Sequence, residues 1–183
     1  MRFFFYGTLQ SGSPNPLARR IHARLRSEGP GQLRGRLYAL PDPGGWFPAL
    51  LDGQGIVHGQ VCRAGPDFSP ADLAALDAYE DFAPADPARS LYLRRSLPLL
   101  SGGLAQVYCF NQPLPPGARP IPDGDFRAWV GGPVGRGGGG GCGGGGAGAR
   151  GFGAGTRSEA EVAAEIKLRL AMAAMGQPDE SGL

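Results

Sequence analysis

The sequence predicts an α+β fold with a curled, mostly antiparallel sheet, followed by a glycine-rich linker and a short terminal helix. Three observations point there. Stretches that read as strands outnumber those that read as helices, the two do not alternate strictly, and Gly/Pro-rich turns separate them. The apolar content, 42% of 183 residues, is adequate for one core of ordinary size. The glycines are uneven: 16 of the 33 fall between residues 131 and 155, which divides the chain in two.

In order along the chain, Arg2–Tyr6 is a short aromatic strand that stops at Gly7. Pro14–Arg26 carries Leu17, Ile21 and Leu25 at i, i+4 and i+8, a single apolar stripe that predicts a helix. Strands are expected at Leu33–Leu40, Gly55–Arg63, Leu91–Leu100 and Leu104–Phe110, and a helix at Ser69–Phe82. Residues 1–130 therefore form one expected domain. Residues 131–157 cannot bury apolar area and read as a flexible linker. Residues 158–183 open on a capping box, Ser158 to Glu161. Val162, Ile166 and Leu170 then mark one helix face, and Gly176 and Pro178 stop it. That terminal helix is expected to dock on the domain, meet a partner or fray.

Composition excludes several function classes. The formal net charge is +2, and the arginines are scattered, so no one-sided basic footprint marks a nucleic-acid binder. No apolar run is long enough for a signal-peptide core or a membrane span. Cys62, Cys109 and Cys142 are widely spaced and form no CxxC, while His22 and His58 have no ligand partner at metal-binding spacing. Neither a disulfide framework nor a usual zinc site is expected.

The segment Ser69–Phe82, SPADLAALDAYEDF, is the most informative. Ser69 is a good N-cap, Pro70 suits the first helical position, and Asp72 favours the helix dipole. With Leu73 at 0° and roughly 100° per residue, Leu76 falls near 300° and Glu80 near 340°. Glu80 thus lies between two leucines on the face expected to meet the core, with Asp77 flanking it. Burial and the negative end of the helix dipole both favour a protonated carboxyl, a setting that suits general acid/base work near neutral pH. The plainer reading is an ion pair between Glu80 and Arg94 or Arg95, and spacing leaves both open.

A second element is Tyr6-Gly7-Thr8-Leu9. A glycine at the end of a buried strand lets the backbone turn sharply and expose consecutive N–H groups, a nest for a carboxylate or a developing oxyanion. A plain turn is the alternative.

Together these pieces resemble the γ-glutamylcyclotransferase-like family, in the branch of γ-glutamylamine cyclotransferases and AIG2-like proteins. Tyr6-Gly7-Thr8-Leu9, Gly35-Arg36-Leu37-Tyr38-Ala39-Leu40, Phe47-Pro48-Ala49-Leu50, Val57-His58-Gly59-Gln60, Leu76-Asp77-Ala78-Tyr79-Glu80 and Tyr92-Leu93-Arg94 run in that family's order. The resemblance spans about residues 1–130. It implies a small mixed β-barrel or roll with a central cavity, a cytoplasmic protein, and an intramolecular reaction that uses no metal or organic cofactor. In that reaction the α-amine of a γ-glutamyl substrate attacks its own γ-carbonyl, giving 5-oxoproline and a free amine or amino acid. It also implies that Glu80 is the general acid/base and that Tyr6, Gly7, Thr8 and Leu9 bind substrate through their backbone. Tyr92 and Arg94 are expected to orient Glu80 or the substrate carboxylate. The partner expected is the small substrate alone, with no nucleic acid or membrane, and the protein is expected to be a monomer or homodimer.

Two departures stand out: Gln60 replaces an expected Glu, and Asp81 follows Glu80 where many relatives have Gly. The Pro-rich stretch 81–90 is expected to cover the cavity as a lid. The competing reading is a noncatalytic AIG2-like protein that binds a small amino-acid-like ligand or a protein partner, with Glu80 locked in an ion pair or the cavity filled by side chains.

Overall fold

A computed structural model describes residues 1–42 and 45–133. The expected linker from residue 134 onward, the expected terminal helix and Cys142 lie outside the described residues. The described chain runs β1 (Arg2–Phe5), α1 (Pro16–His22), β2 (Leu25–Asp42), β3 (Gly45–Ala64), α2 (Pro70–Tyr79), a 3₁₀ turn (Pro87–Arg89), β4 (Tyr92–Pro98), β5 (Leu104–Phe110), β6 (Arg119–Pro120) and α3 (Phe126–Gly131). No helix among them is long and apolar enough to cross a membrane.

The six strands form one sheet in the order β4-β5-β1-β3-β2-β6, antiparallel throughout except for the β1–β5 pair. The sheet curls back on itself. Leu33 of β2 bridges Leu99 just past β4, and the Leu100 N–H donates to the Gln32 carbonyl at 2.8 Å. β1 sits in the middle and is apolar on both faces. Phe4 and Tyr6 join Leu33, Val57 and Val107 on one side, and Phe3 and Phe5 join Leu17, Ile21 and Leu76 of the helices on the other. An unbroken FFFY run is what such a doubly buried strand requires.

Several element boundaries differ from expectation. The first helix ends at His22, because Leu25, the third residue of its apolar stripe, instead opens β2 opposite Ala64. β2 and β3 are 18 and 20 residues long, and they absorb Phe47–Leu50, where no strand is expected from sequence. Glycines and prolines within them conceal that length. The hairpin tolerates these residues by slipping register between Ser27 and Gly29 and between Arg34 and Arg36. β4 begins at Tyr92 and ends at Pro98 rather than spanning Leu91–Leu100.

Gly124 ties the segment before α3 to the barrel: its carbonyl accepts from the His58 N–H at 2.9 Å, and its φ is +62°. A Cβ there would stand 1.9 Å from the Ile56 carbonyl oxygen, which a paired strand cannot withdraw. Gly124→Ala is therefore expected to cost about 3 kcal/mol and to lower Tm by about 10 °C in a thermal melt. An unchanged Tm would show that this segment relaxes freely.

Candidate active site

Ser69 caps α2 in a reciprocal box: its hydroxyl accepts from the Asp72 N–H, and Asp72 accepts from the Ser69 N–H at 2.9 Å. The Ser69 N–H and hydroxyl hold the Asp72 carboxyl below its usual range, and Arg24 pairs with it. This rigid start fixes the phase of the helix. At the other end Tyr79 is the last helical residue and Glu80 is the C-cap, its N–H donating to the Leu76 carbonyl at 3.1 Å.

Glu80 is half-buried as a residue, and burial pushes its carboxyl up to about 8 from the usual 4.5. Its charge is close enough to the hydroxyls of Tyr6, Tyr92 and Tyr108 to add to the upward shift that burial gives each of them. Three elements, β1's end, β4 and β5, thus each present a tyrosine to it. The Tyr6 hydroxyl donates to the Tyr108 carbonyl at 2.5 Å, Tyr92 to the Pro48 carbonyl at 2.7 Å, and Tyr108 to Asp77 Oδ1 at 2.7 Å.

The arginines that compete for Glu80 in the ion-pair reading are engaged elsewhere. Arg94 Nε donates to Asp77 Oδ1 at 2.8 Å, its Nη1 donates to Gln106 Oε1 at 3.2 Å, and it stacks over Phe82. Arg95 pairs with Asp52. Among the described residues the Glu80 carboxylate has neither a cation nor a hydrogen-bond donor as partner. An isolated carboxylate in such a place is costly, which is why its pKa rises rather than its charge being neutralised by a neighbour.

The Tyr6–Leu9 segment makes a tight turn in which the Gln10 N–H donates to the Gly7 carbonyl at 3.3 Å. The N–H groups of Thr8 and Leu9, at the turn's centre, have no acceptor among the described residues. The Leu9 side chain itself is core, so only its backbone is available to a ligand. Thr8 Oγ1 lies 3.5 Å from the Tyr79 hydroxyl, to which Asn15, the cap of α1, donates at 2.8 Å. The turn is thereby held over the end of α2. A Cβ on Gly7 would meet Pro48 Cγ at 2.2 Å, so the turn packs directly on the proline whose carbonyl Tyr92 holds. Gln60 anchors the same loop, accepting from the Ser11 N–H at 2.9 Å.

Tyr6, Gly7, Thr8, Leu9, Glu80 and Tyr92 thus converge through Pro48 and α2. Arg94 stands one step back, bound to Asp77. Sequence reasoning missed Tyr108 and underrated Asp77, which is 8% exposed and as much a part of the site as of the core. A lone Tyr in a VYCF strand carries no signal; Asp77 at roughly 40° from the apolar face was the available hint. Stretch 81–90, expected as a lid, is pinned by Ser90, whose hydroxyl accepts from Ala83 N–H at 2.9 Å and whose carbonyl accepts from Asn111 and Gln112. Asp81 takes a left-handed φ of +48°, a conformation that glycine adopts more readily than aspartate. Among the described residues no three His, Cys, Asp or Glu side chains gather as a metal site requires.

A protein-family model described as gamma-glutamyl cyclotransferase, AIG2-like, matches residues 3–128. No curated protein matches the chain. Among solved structures, c4763, a uropathogenic E. coli-specific protein, is similar with 20% identity and a TM-score of 0.53 over 71% of this chain and 94% of that one. PH0828, an uncharacterized protein from Pyrococcus horikoshii, has 16% identity and a TM-score of 0.50 over 70% and 91%. Protein ytfP from Escherichia coli has 28% identity and a TM-score of 0.49 over 69% and 96%. The first two show a shared fold.

Proposed function

The chain belongs to the gamma-glutamyl cyclotransferase, AIG2-like family, and from that premise we propose that it cyclises a γ-glutamyl substrate to 5-oxoproline, with Glu80 moving the proton. The nucleophile is the substrate's own α-amine, so the protein needs no nucleophilic side chain. It must supply a folded substrate, a base of suitable pKa and donors for the oxyanion.

In the proposed reaction Glu80 takes a proton from the α-ammonium. The freed amine attacks the γ-carbonyl carbon, forming the ring C–N bond and a tetrahedral oxyanion. The Thr8 and Leu9 N–H groups hold that oxygen as its charge develops; such donors are typically worth about 3–4 kcal/mol each. The ring nitrogen sheds its extra proton, the carbonyl re-forms, the original amide C–N bond breaks, and the departing nitrogen takes up the proton held by Glu80 and the one shed by the ring, leaving as an ammonium. Tyr6, Tyr92 and Tyr108 keep their protons because burial raises their pKa, so they shape the cavity as neutral walls. Because both reactants belong to one molecule, holding the substrate curled lowers the barrier by several kcal/mol more.

The observation that carries this reading is the Glu80 carboxylate left without a partner while every nearby arginine is satisfied. A structural ion pair would have favoured the noncatalytic alternative. The test is 5-oxoproline release from γ-glutamyl-ε-lysine, γ-glutamyl-alanine and glutathione. Release from at least one, above the uncatalysed rate, is expected, with kcat/KM rising as pH approaches about 8. Background rates on all three would overturn the reading for those substrates.

A further inference from the structure

A concavity of about 570 Å³ is lined by none of the residues gathered around Glu80. It lies between the loop after Leu9, the middle of the β2–β3 hairpin and the start of α3, and it falls in the size range of small-molecule sites. The Gln10 side chain lines it. Gln10 is only 8% exposed, and its amide, with no hydrogen-bond partner among the described residues, still meets solvent at the cleft.

The other polar groups are arranged to receive something. Gln32 Nε2 donates to His58 Nδ1 at 3.3 Å, which puts the ring proton on Nε2 as a free donor. Arg127 commits one nitrogen to the Ser11 carbonyl at 3.3 Å, and Asp125 commits one carboxylate oxygen to capping α3 at 3.0 Å. No ion pair joins the two, so one cation and one carboxylate both retain free valence in a single cleft that Leu100 also lines.

We propose that this cleft binds a zwitterionic amino acid or dipeptide, its carboxylate on Arg127, its ammonium on Asp125 and a polar group on Gln10. A simple anion would leave Asp125 opposed, and a simple cation would leave Arg127 so. The site shares backbone with the proposed substrate turn, since the Gln10 N–H closes that turn onto Gly7 and Arg127 holds the carbonyl of the next residue, Ser11.

The experiment is a heteronuclear NMR titration of the full-length Glu80→Gln protein, which keeps turnover out of the measurement. The probes are L-glutamate, L-alanine and, as a carboxylate without an ammonium, 5-oxoproline. Saturable shifts at His58, Ser101 and Arg127 are expected with the amino acids. Binding at these residues should weaken about tenfold for 5-oxoproline, and about tenfold in Arg127→Met and Asp125→Asn. Both variants are expected to fold, since Arg127 is exposed and Asn caps a helix as well as Asp. No saturable shift up to about 20 mM, shifts confined to Tyr6–Thr8 and Tyr108, or affinities unchanged in both variants would each overturn the proposal.

Discussion

Glu80→Gln is expected to abolish 5-oxoproline release and, at the same time, to make the protein more stable at neutral and alkaline pH. A positioned general base contributes about 10²–10⁴-fold, so turnover should fall by about 10³. The stability change has the opposite sign for a reason rooted in the folded state. The Glu80 carboxyl titrates near 8 in the fold against 4.5 when free, so its proton is held more tightly folded than unfolded. Its favourable contribution is complete below pH 4.5 and drains away as pH rises to about 8. Gln cannot ionise and escapes that loss. The three tyrosines whose hydroxyls feel the Glu80 charge, Tyr6, Tyr92 and Tyr108, are all shifted upward, so none of them titrates in this window. Asp72, shifted downward, loses its contribution only at more acidic pH. Melts of both proteins from pH 4.5 to 9 should coincide at the acid end and separate by roughly 2–4 kcal/mol at the alkaline end, after discounting for partial exposure. A constant difference across that range would mean that Glu80 ionises normally and is no base of raised pKa.

Gly7→Ala is expected to remove activity almost as thoroughly while leaving the protein folded. The new methyl would stand 2.2 Å from Pro48 Cγ. Pro48 cannot simply retreat: it lies in β3 opposite Ala39, and Tyr92 holds its carbonyl at 2.7 Å. The Tyr6–Leu9 turn must therefore move, taking the Thr8 and Leu9 N–H groups with it. A displacement near 1 Å in a positioned group costs about 10²-fold in kcat/KM, against a stability cost of about 1–3 kcal/mol. Kinetics compared with thermal melts separate the two effects. Full activity in Gly7→Ala would show that the turn is not the substrate cradle.

Much of the site's ingredient list was legible in the sequence, and its wiring was not. The inward phase of Glu80 followed from helical periodicity, because Ser69, Pro70 and Asp72 pin the start of α2 so firmly that every later residue's direction is set. The sharp turn at Gly7 followed from a glycine ending an apolar strand. The length of β2 and β3 did not follow, because bulges let glycine and proline occupy a strand that local propensity denies. Nor did the fate of Arg94. A strand places Arg94 within reach of two carboxylates one helical turn apart, Asp77 and Glu80, and which one it chooses depends on the rotation of α2 against β4 and on Tyr108 from β5.

Composition, periodicity and motif order determined by themselves the α+β class, the curled sheet, the capped helix and the inward phase of Glu80. Those are local properties, written in neighbours along the chain. Only the tertiary structure decided that Asp77 takes Arg94 and Tyr108, leaving Glu80 alone among buried hydroxyls with its pKa raised. Desolvation and charge pairing depend on what residues distant in sequence bring to the same few ångströms, and no pattern within one segment records that.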